Sequence, residues 1–158
     1  MKNKTNQKGF SLIELLVVVI IIGIIAAIAI PNLLSSRRSA NEASAVSNLR
    51  TLVTAQQTYL ASSGSSTTYE DWAALKTAKL IDTSWQAAVV KNTYTYNMAP
   101  GTASGFCATT ASAALSSGGF SYTTNHEGAI YKNATLTPPA CSATDGTITT
   151  AGASVVGS

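Results

Sequence analysis

Hydrophobic residues are concentrated near the amino-terminal end of the chain. Leu15–Ile30 is a run of sixteen residues without one polar side chain. Phe10–Ile30 would form about 31 Å of helix at 1.5 Å per residue, close to the roughly 30 Å hydrocarbon thickness of a bilayer. The pattern therefore predicts a membrane-spanning helix over 10–31.

Beyond this run, apolar residues recur at spacings of three and four as far as Ser62, which predicts an amphipathic helical half over 32–62. Arg37, Arg38 and Glu42 fall outside the apolar stripe, and we expect them on a solvated face. Contact with other subunits, or with lipid head groups before assembly, is the alternative. The stripe consists of Leu34, Ala45, Val46, Leu49, Leu52, Val53, Gln56, Tyr59 and Leu60.

Residues 63–158 are rich in Ser, Thr, Gly and Ala and predict a small globular head. A loop region over 63–92 contains a short surface helix from Tyr69 to about Ile81, with the acidic residues Glu70 and Asp71 in its first turn. The span 93–132 predicts three or four short antiparallel strands, because aromatic and Thr residues alternate there between turn signals. One face of this sheet can cover the helix stripe, which gives an α+β fold. The strands are expected at Tyr94–Met98, Gly105–Thr110, Gly119–Thr124 and Ala129–Tyr131, the last two joined by a turn at 125–128.

Composition and charge narrow the class of protein. A chain with 46% hydrophobic and 11% charged residues is not typical of disordered or nucleic-acid-coating proteins. Three of the ten basic residues, Lys2, Lys4 and Lys8, lie in the first nine positions, and the remainder balances seven basic against seven acidic side chains. The basic character therefore belongs to a targeting segment that holds the amino-terminal end on the cytoplasmic side.

Cys107 and Cys141 are the only cysteines. Their spacing fits no CxxC metal or redox pattern, so we predict one disulfide in an exported domain, bounding the region 107–141. Two free thiols in a cytosolic protein are the alternative, and the targeting segment argues against it.

The amino-terminal segment has competing interpretations. A secretory signal has an apolar region of only about 7 to 15 residues, which is shorter than the run found here. A plain membrane anchor leaves Glu14 unexplained, because an acidic side chain inside hydrocarbon costs on the order of 2.5 to 3.5 kcal/mol. Some positive group must neutralise Glu14.

The residues Gly9-Phe10-Ser11-Leu12-Ile13-Glu14, the Val/Ile run and the stretch from Ala26 to Leu34 resemble the type IV pilin family, of the class with a short leader. The resemblance implies cleavage of the leader 1–9 after Gly9 by a prepilin peptidase and methylation of the new amino group on Phe10. It also implies assembly of the helices into a filament.

Cleavage after Gly9 would create an α-amine with a pKa of about 8, which is charged at neutral pH. Glu14 could pair with this amine within its own helix, four residues away. Alternatively it could pair with the amine of a neighbouring subunit and set the register between parallel helices. The resemblance favours the pairing between subunits.

Gly23 and Pro31 are poor helix residues in water but are tolerated in membrane helices. The missing N–H of Pro31 predicts a kink in the helix. The resemblance implies further that the stretch between Gly23 and Pro31 loses helical bonds in the assembled fibre.

Candidate chemistry is sparse. His126 is the only histidine, and we expect a solvated turn residue, because no cluster with metal-ligand spacing surrounds it. No Gly-rich phosphate loop follows a strand, and nothing local marks a nucleophile. The sequence therefore predicts no cofactor, no metal and no catalytic activity.

The leading hypothesis is the major subunit of a type IV pilus, used for adhesion, twitching motility or DNA uptake. It would lie in the inner membrane before assembly and then in a surface filament. Its partners would be further copies of the chain, the prepilin peptidase and methyltransferase, and the pilus assembly machinery; the sequence identifies no surface or DNA ligand.

A pseudopilin of a type II secretion system is the alternative. The disulfide and the Ser/Thr-rich head favour a pilus, and the missing acidic calcium cluster argues against the main pseudopilin. A membrane-anchored binding module that never polymerises is a third possibility, from another class, and it would not need Glu14.

Overall fold

The computed structural model describes residues 9–62, 67–99, 101–113, 119–142, 144–149 and 151–156. The predicted leader, apart from Gly9, and most of the predicted link after Ser62 lie outside these residues. The chain divides into two compact units, 1–37 and 38–158. We call the second one the globular unit.

One helix, α1 (Leu12–Ser62), contains 51 residues and includes both Gly23 and Pro31. The long amino-terminal helix is therefore confirmed. Pro31 has no N–H to donate to the carbonyl oxygen of Ala27, yet the helix continues through it. The kink and the loss of helical bonds in a fibre remain predictions.

The part of α1 in the globular unit buries one face, as the apolar spacing predicted. Tyr59 is partly buried against this core. Leu34 was predicted in the same stripe, but it belongs to the other unit and is 62% exposed. The buried residues of α1 are Ala45, Val46, Leu49, Leu52, Val53, Ala55 and Gln56.

A six-stranded antiparallel sheet forms the second layer of the globular unit, and its strands are ordered as they occur in the chain. Four of the strands match the predicted ones, and the first and last lie outside the predicted span 93–132. These two were missed because each has only three residues, too few to show alternation. The strands are β1 (Val89–Lys91), β2 (Tyr94–Ala99), β3 (Cys107–Ser112), β4 (Ser121–Asn125), β5 (Ile130–Asn133) and β6 (Ala153–Val155).

Helix and sheet share one core, which confirms the α+β fold. The fully buried aromatic side chains Tyr94 and Tyr96 of β2 belong to the same core as Leu49 and Leu52 of α1. Ile130 of β5 extends this core across the sheet.

The hairpin between β1 and β2 turns at Asn92 and Thr93, both with positive φ, at 49° and 68°. Two consecutive positive φ values suit the right-handed twist of a tight hairpin, but a β-branched Thr rarely adopts them. The turn is held against α1, because Asn92 Nδ2 donates to Ser44 Oγ at 2.7 Å and Asn41 Nδ2 lies 3.5 Å from Thr93 Oγ1.

The short helix α2 (Trp72–Thr77) lies within the predicted range, but it begins three residues after Tyr69 and ends four residues before Ile81. Asp71 caps it by accepting the backbone N–H groups of Ala73 and Ala74, each at 2.9 Å. The chain leaves the helix at Lys79, whose φ is 59°. Trp72 stacks on Trp85 with ring centroids 5.6 Å apart, which attaches this loop to the core.

A buried amide links α1 to the segment before α2. Gln56 is fully buried, its Nε2 donates to the carbonyl oxygen of Glu70, and its Oε1 accepts the Glu70 N–H at 3.1 Å. Both backbone groups of Glu70 are therefore satisfied by one side chain of the helix.

We expect Gln56→Ala to destabilise the globular unit by about 1 to 3 kcal/mol, because it leaves half-buried backbone groups without partners. Gln57→Ala is the matched control, since Gln57 is exposed on the same helix. The measurement is denaturant unfolding of the full chain in detergent. Equal midpoints for the two variants would contradict this role of Gln56.

Two tyrosines lie beneath the first turns of α1 in the globular unit. Burial, and after it the nearby Glu42 carboxylate, raise the pKa of Tyr94 to about 12, while Arg38 opposes the increase. Burial also raises the pKa of Tyr122. Both phenols are therefore held in their neutral form in the folded state.

Stability should fall with rising pH from the ordinary tyrosine pKa of 10.0 to about 12. In this window the unfolded chain releases the Tyr94 proton while the folded chain retains it. The free energy of unfolding therefore falls by at most about 1.4 kcal/mol per pH unit. Tyr94→Phe should reduce this slope, as measured by urea unfolding across the window. A slope no smaller than that of a Tyr131→Phe control would contradict the assignment.

Candidate functional site

The amino-terminal unit presents a continuous apolar surface. Every large apolar side chain from Phe10 to Leu34 is between 48% and 91% exposed. A helix that is apolar on all sides requires lipid or protein around it, and soluble monomers rarely expose such a surface. Within the described part of the chain, α1 is the one helix long and apolar enough to span a membrane.

Glu14 is the one charged residue between Phe10 and Leu34. Its Oε2 atom accepts the backbone N–H of Ser11 at 2.8 Å. Ser11 directly precedes α1 and Glu14 is its third residue, so this contact is one half of a capping box. The carboxylate also lies at the end of the helix where the backbone dipole is positive.

This capping contact was not predicted from the sequence. The signal was present, because Ser11-Leu12-Ile13-Glu14 has the Ser-x-x-Glu spacing of a capping box. The contact also shows where Glu14 finds a partner before any cleavage, when Phe10 carries a peptide nitrogen and no amine.

The predicted cleavage site lies in accessible, non-helical backbone. Gly9 and Phe10 both precede the first helical residue, and Phe10 is 91% exposed. Among the described residues other than its chain neighbours, no atom lies within 4 Å of a Cβ built on Gly9. The geometry leaves this peptide bond open to an enzyme, while the cleavage and the methylation of Phe10 remain proposals.

The structure contains the predicted disulfide between Cys107 of β3 and Cys141, with Cα atoms 6.1 Å apart. Cys141 also forms an isolated antiparallel bridge with Ile148. The bond therefore attaches the segment after β5 to the centre of the sheet.

Strand β4 holds the same segment through a row of hydrogen bonds. The hydroxyls of Ser121 and Thr123 donate to the carbonyl oxygens of Thr137 and Pro139 at 2.9 and 2.8 Å, and Asn125 Nδ2 donates to the Gly146 carbonyl oxygen at 2.9 Å. These three side chains alternate along β4 and so share one face. The stretches 137–142 and 144–146 therefore form a cover on this face of the sheet, which the sequence did not predict.

The expectation for His126 was wrong. The turn forms as predicted, with the Gly128 N–H donating to the Asn125 carbonyl oxygen at 3.0 Å. However, the ring of His126 is half-buried, because a Cβ built on Gly105 or Gly146 would lie only 2.7 or 2.6 Å from its Nδ1 atom. Packing against two glycines shields the Nδ1 atom and part of the ring from solvent. Among the described residues no group of three His, Cys, Asp or Glu side chains is placed to hold a metal ion.

The expectation of a solvated face also fails for Arg38 and Glu42. Arg38 Nε donates to Glu42 Oε1 at 2.9 Å, and the two side chains are 37% and 21% exposed. They are shielded because the sheet lies beside this turn of α1, and Arg38 lies over the ring of Phe120. Arg37 is exposed, as predicted.

Comparison with known proteins links the amino-terminal region to a family motif. Residues 4–30 match the model of the prokaryotic N-terminal methylation motif. Over 54 residues the chain is 48% identical to the type IV major pilin protein PilA of Myxococcus xanthus, covering 34% of this chain and 24% of that protein.

Two further relatives match over a similar length. The type IV wide pilus major component PilA4 of Thermus thermophilus is 50% identical over 54 residues, which are 34% of this chain and 41% of that protein. The type II secretion system core protein G of Escherichia coli is 37% identical over 59 residues, which are 37% of this chain and 41% of that protein. The chain thus aligns with less than half the length of the curated relatives described here.

We expect replacement of both cysteines by serine to destabilise the globular unit by about 3 to 4 kcal/mol, because the bond closes a long loop in the unfolded chain. Thermal unfolding of the full chain in detergent, with and without reductant, measures the effect. The reduced wild type should match the double variant. An unchanged midpoint in both would contradict a structural role for the bond.

Proposed function

We propose that this chain belongs to the type IV pilin and pseudopilin superfamily, as the methylation motif over residues 4–30 supports, and that it is a structural subunit of a filament, the major pilin of a type IV pilus. The observation that carries the proposal is the exposed apolar surface from Phe10 to Leu34 with Glu14 at its start. Lipid can cover this surface in the precursor, and neighbouring copies of the same helix can cover it in a filament.

Processing would convert the lipid-covered precursor into a subunit that can enter the filament. A prepilin peptidase would cut after Gly9, and the new amine of Phe10 would be methylated. Glu14, which accepts the Ser11 N–H in the uncut chain, would then pair with the amine of a neighbouring subunit. Two charges in an apolar medium strongly favour one alignment, so the pair would set the register of the helices.

The role proposed is structural and not catalytic. The subunit would begin in the inner membrane and end in a filament at the cell surface, delivered by the pilus assembly machinery. The globular unit would face outward, with the disulfide holding its cover segment in place. Adhesion, twitching motility and DNA uptake are all uses that such a surface permits.

A pseudopilin of a type II secretion system is the second candidate, favoured by the similarity to core protein G. Electron microscopy of material sheared from cells discriminates between the two. Long extracellular fibres containing this chain support the pilus, and periplasmic material alone supports the pseudopilin.

We expect Glu14→Leu and Glu14→Gln to abolish filaments while cleavage after Gly9 continues, because both remove the charge that pairs with the amine. The two variants separate charge from capping, since the amide oxygen of Gln still accepts the Ser11 N–H. Immunoblots of the processed chain and microscopy of sheared filaments are the measurements. Normal filaments from Glu14→Gln would reject the ion pair as the register-setting contact.

A further inference from the structure

A cluster of basic and aromatic side chains lies at the end of the globular unit where α1 enters it. We call Arg38, Phe120 and Lys132 the basic aromatic patch. The Arg38 Cζ atom lies 5.7 Å, and the Lys132 Nζ atom 4.9 Å, from the centroid of the Phe120 ring. All three side chains are half-buried, so their outer atoms remain accessible.

Strand register brings these residues together. Lys132 pairs with Tyr122 across β5 and β4, which places it diagonally to Phe120. The Phe120 ring packs beside that of Tyr122, with centroids 6.5 Å apart. Arg38 comes from α1, so the patch joins the helix to the sheet through one ring.

The patch carries a net positive charge. Glu42 pairs with Arg38, but within the described residues Lys132 has no carboxylate at ion-pair distance. The other ionisable groups that face this end are the phenols of Tyr94 and Tyr122, whose pKa values are raised by burial, so they are neutral at pH 7. Glu42 is therefore the one negative charge among these groups.

We propose that the basic aromatic patch binds the headgroups of anionic phospholipids while α1 is still in the bilayer. The inference rests on the membrane-inserted precursor proposed above. Arg38 follows Leu34, the end of the apolar surface, by four residues, or about 6 Å of helix, and it follows Ile30, the end of the run that matches the hydrocarbon thickness, by about 12 Å. The long side chain of Arg38 can extend back along the helix towards the lipid phosphates, because its apolar stem lies along the surface while its charged end reaches the headgroups.

The chemistry of the patch matches this location. Lys and Arg side chains keep their apolar stems along a ring or acyl surface while their charged ends reach phosphate, and aromatic rings are enriched at the same interface. Each basic residue near an anionic membrane surface increases the binding constant roughly fivefold, which corresponds to about 1 kcal/mol. Binding of the patch to headgroups would hold the precursor at one depth in the membrane. Extraction of the subunit into a filament would have to break this contact.

The test uses the full chain in nanodiscs holding one subunit each, made either of phosphatidylcholine or of an equal mixture with phosphatidylglycerol. Hydrogen–deuterium exchange is followed in peptides covering Phe120 and β5. We expect several-fold slower exchange at these peptides in the anionic discs, and loss of the difference at high salt, where the Debye length falls to about 3 Å.

Lys132→Gln should lower the ratio of docked to free globular units about fivefold, as expected for one basic residue at an anionic surface. Arg50→Gln, which removes an exposed charge further along α1, should leave the exchange unchanged. Arg38→Gln should reduce the exchange difference between the two lipids as Lys132→Gln does. If Arg38→Gln also lowers the thermal midpoint of the globular unit, only the result for Lys132→Gln is used to test the proposal.

Equal exchange in the two lipids, or an anionic effect untouched by Lys132→Gln, would overturn the proposal. Protection that occurs only when a disc holds two or more subunits would also overturn it, because the patch would then bind a neighbouring chain. Docking without filament assembly by the wild type would support the patch while rejecting the proposed pilus function.

Discussion

Exposure of the apolar side chains between Phe10 and Leu34 to water has a large free-energy cost. Seventeen large apolar residues are exposed there. Burial of each contributes about 1.5 to 3 kcal/mol, so the surface represents tens of kcal/mol, more than the usual 5 to 15 kcal/mol of a folded domain. This part of α1 must therefore be surrounded by lipid or protein at every stage. A globular unit attached to it has to fold without covering it.

The globular unit meets this requirement by using only the second part of α1. Its helix face carries Leu49 and Leu52 at helical spacing, and the sheet supplies large aromatic rings opposite them. Hydrogen bonds from Asn48 to the Tyr96 hydroxyl at 3.0 Å and from Gln56 to Glu70 add directional contacts to this apolar core. Polar contacts of this kind select one alignment of helix and sheet, because any other alignment leaves buried groups unpaired.

The same apolar surface explains why the Glu14 carboxylate matters. In the uncut chain Glu14 is accommodated at the start of α1, where its bond to the Ser11 N–H and the helix dipole both favour a negative charge. In the filament we propose, the same carboxylate lies among apolar helices and needs a cation. The chain therefore contains a satisfactory partner for Glu14 before processing and would need a new one afterwards. In the membrane-inserted precursor we propose, Arg38 and Lys132 bind lipid phosphates beyond the other end of the apolar surface.

The sequence by itself determined the features that depend on local order. The apolar run, the stripe on α1 and strands β2 to β5 follow from periodicity, and the motif around Gly9 and Glu14 follows from adjacent residues. Only the tertiary structure decided which distant residues meet. The hydrogen bonds from β4 to Thr137 and Pro139, the packing of His126 against two glycines and the position of Arg38 over Phe120 join residues far apart in the chain. Short strands such as β1 and β6 depend on their neighbours for pairing, so three residues alone carry too little pattern to predict them.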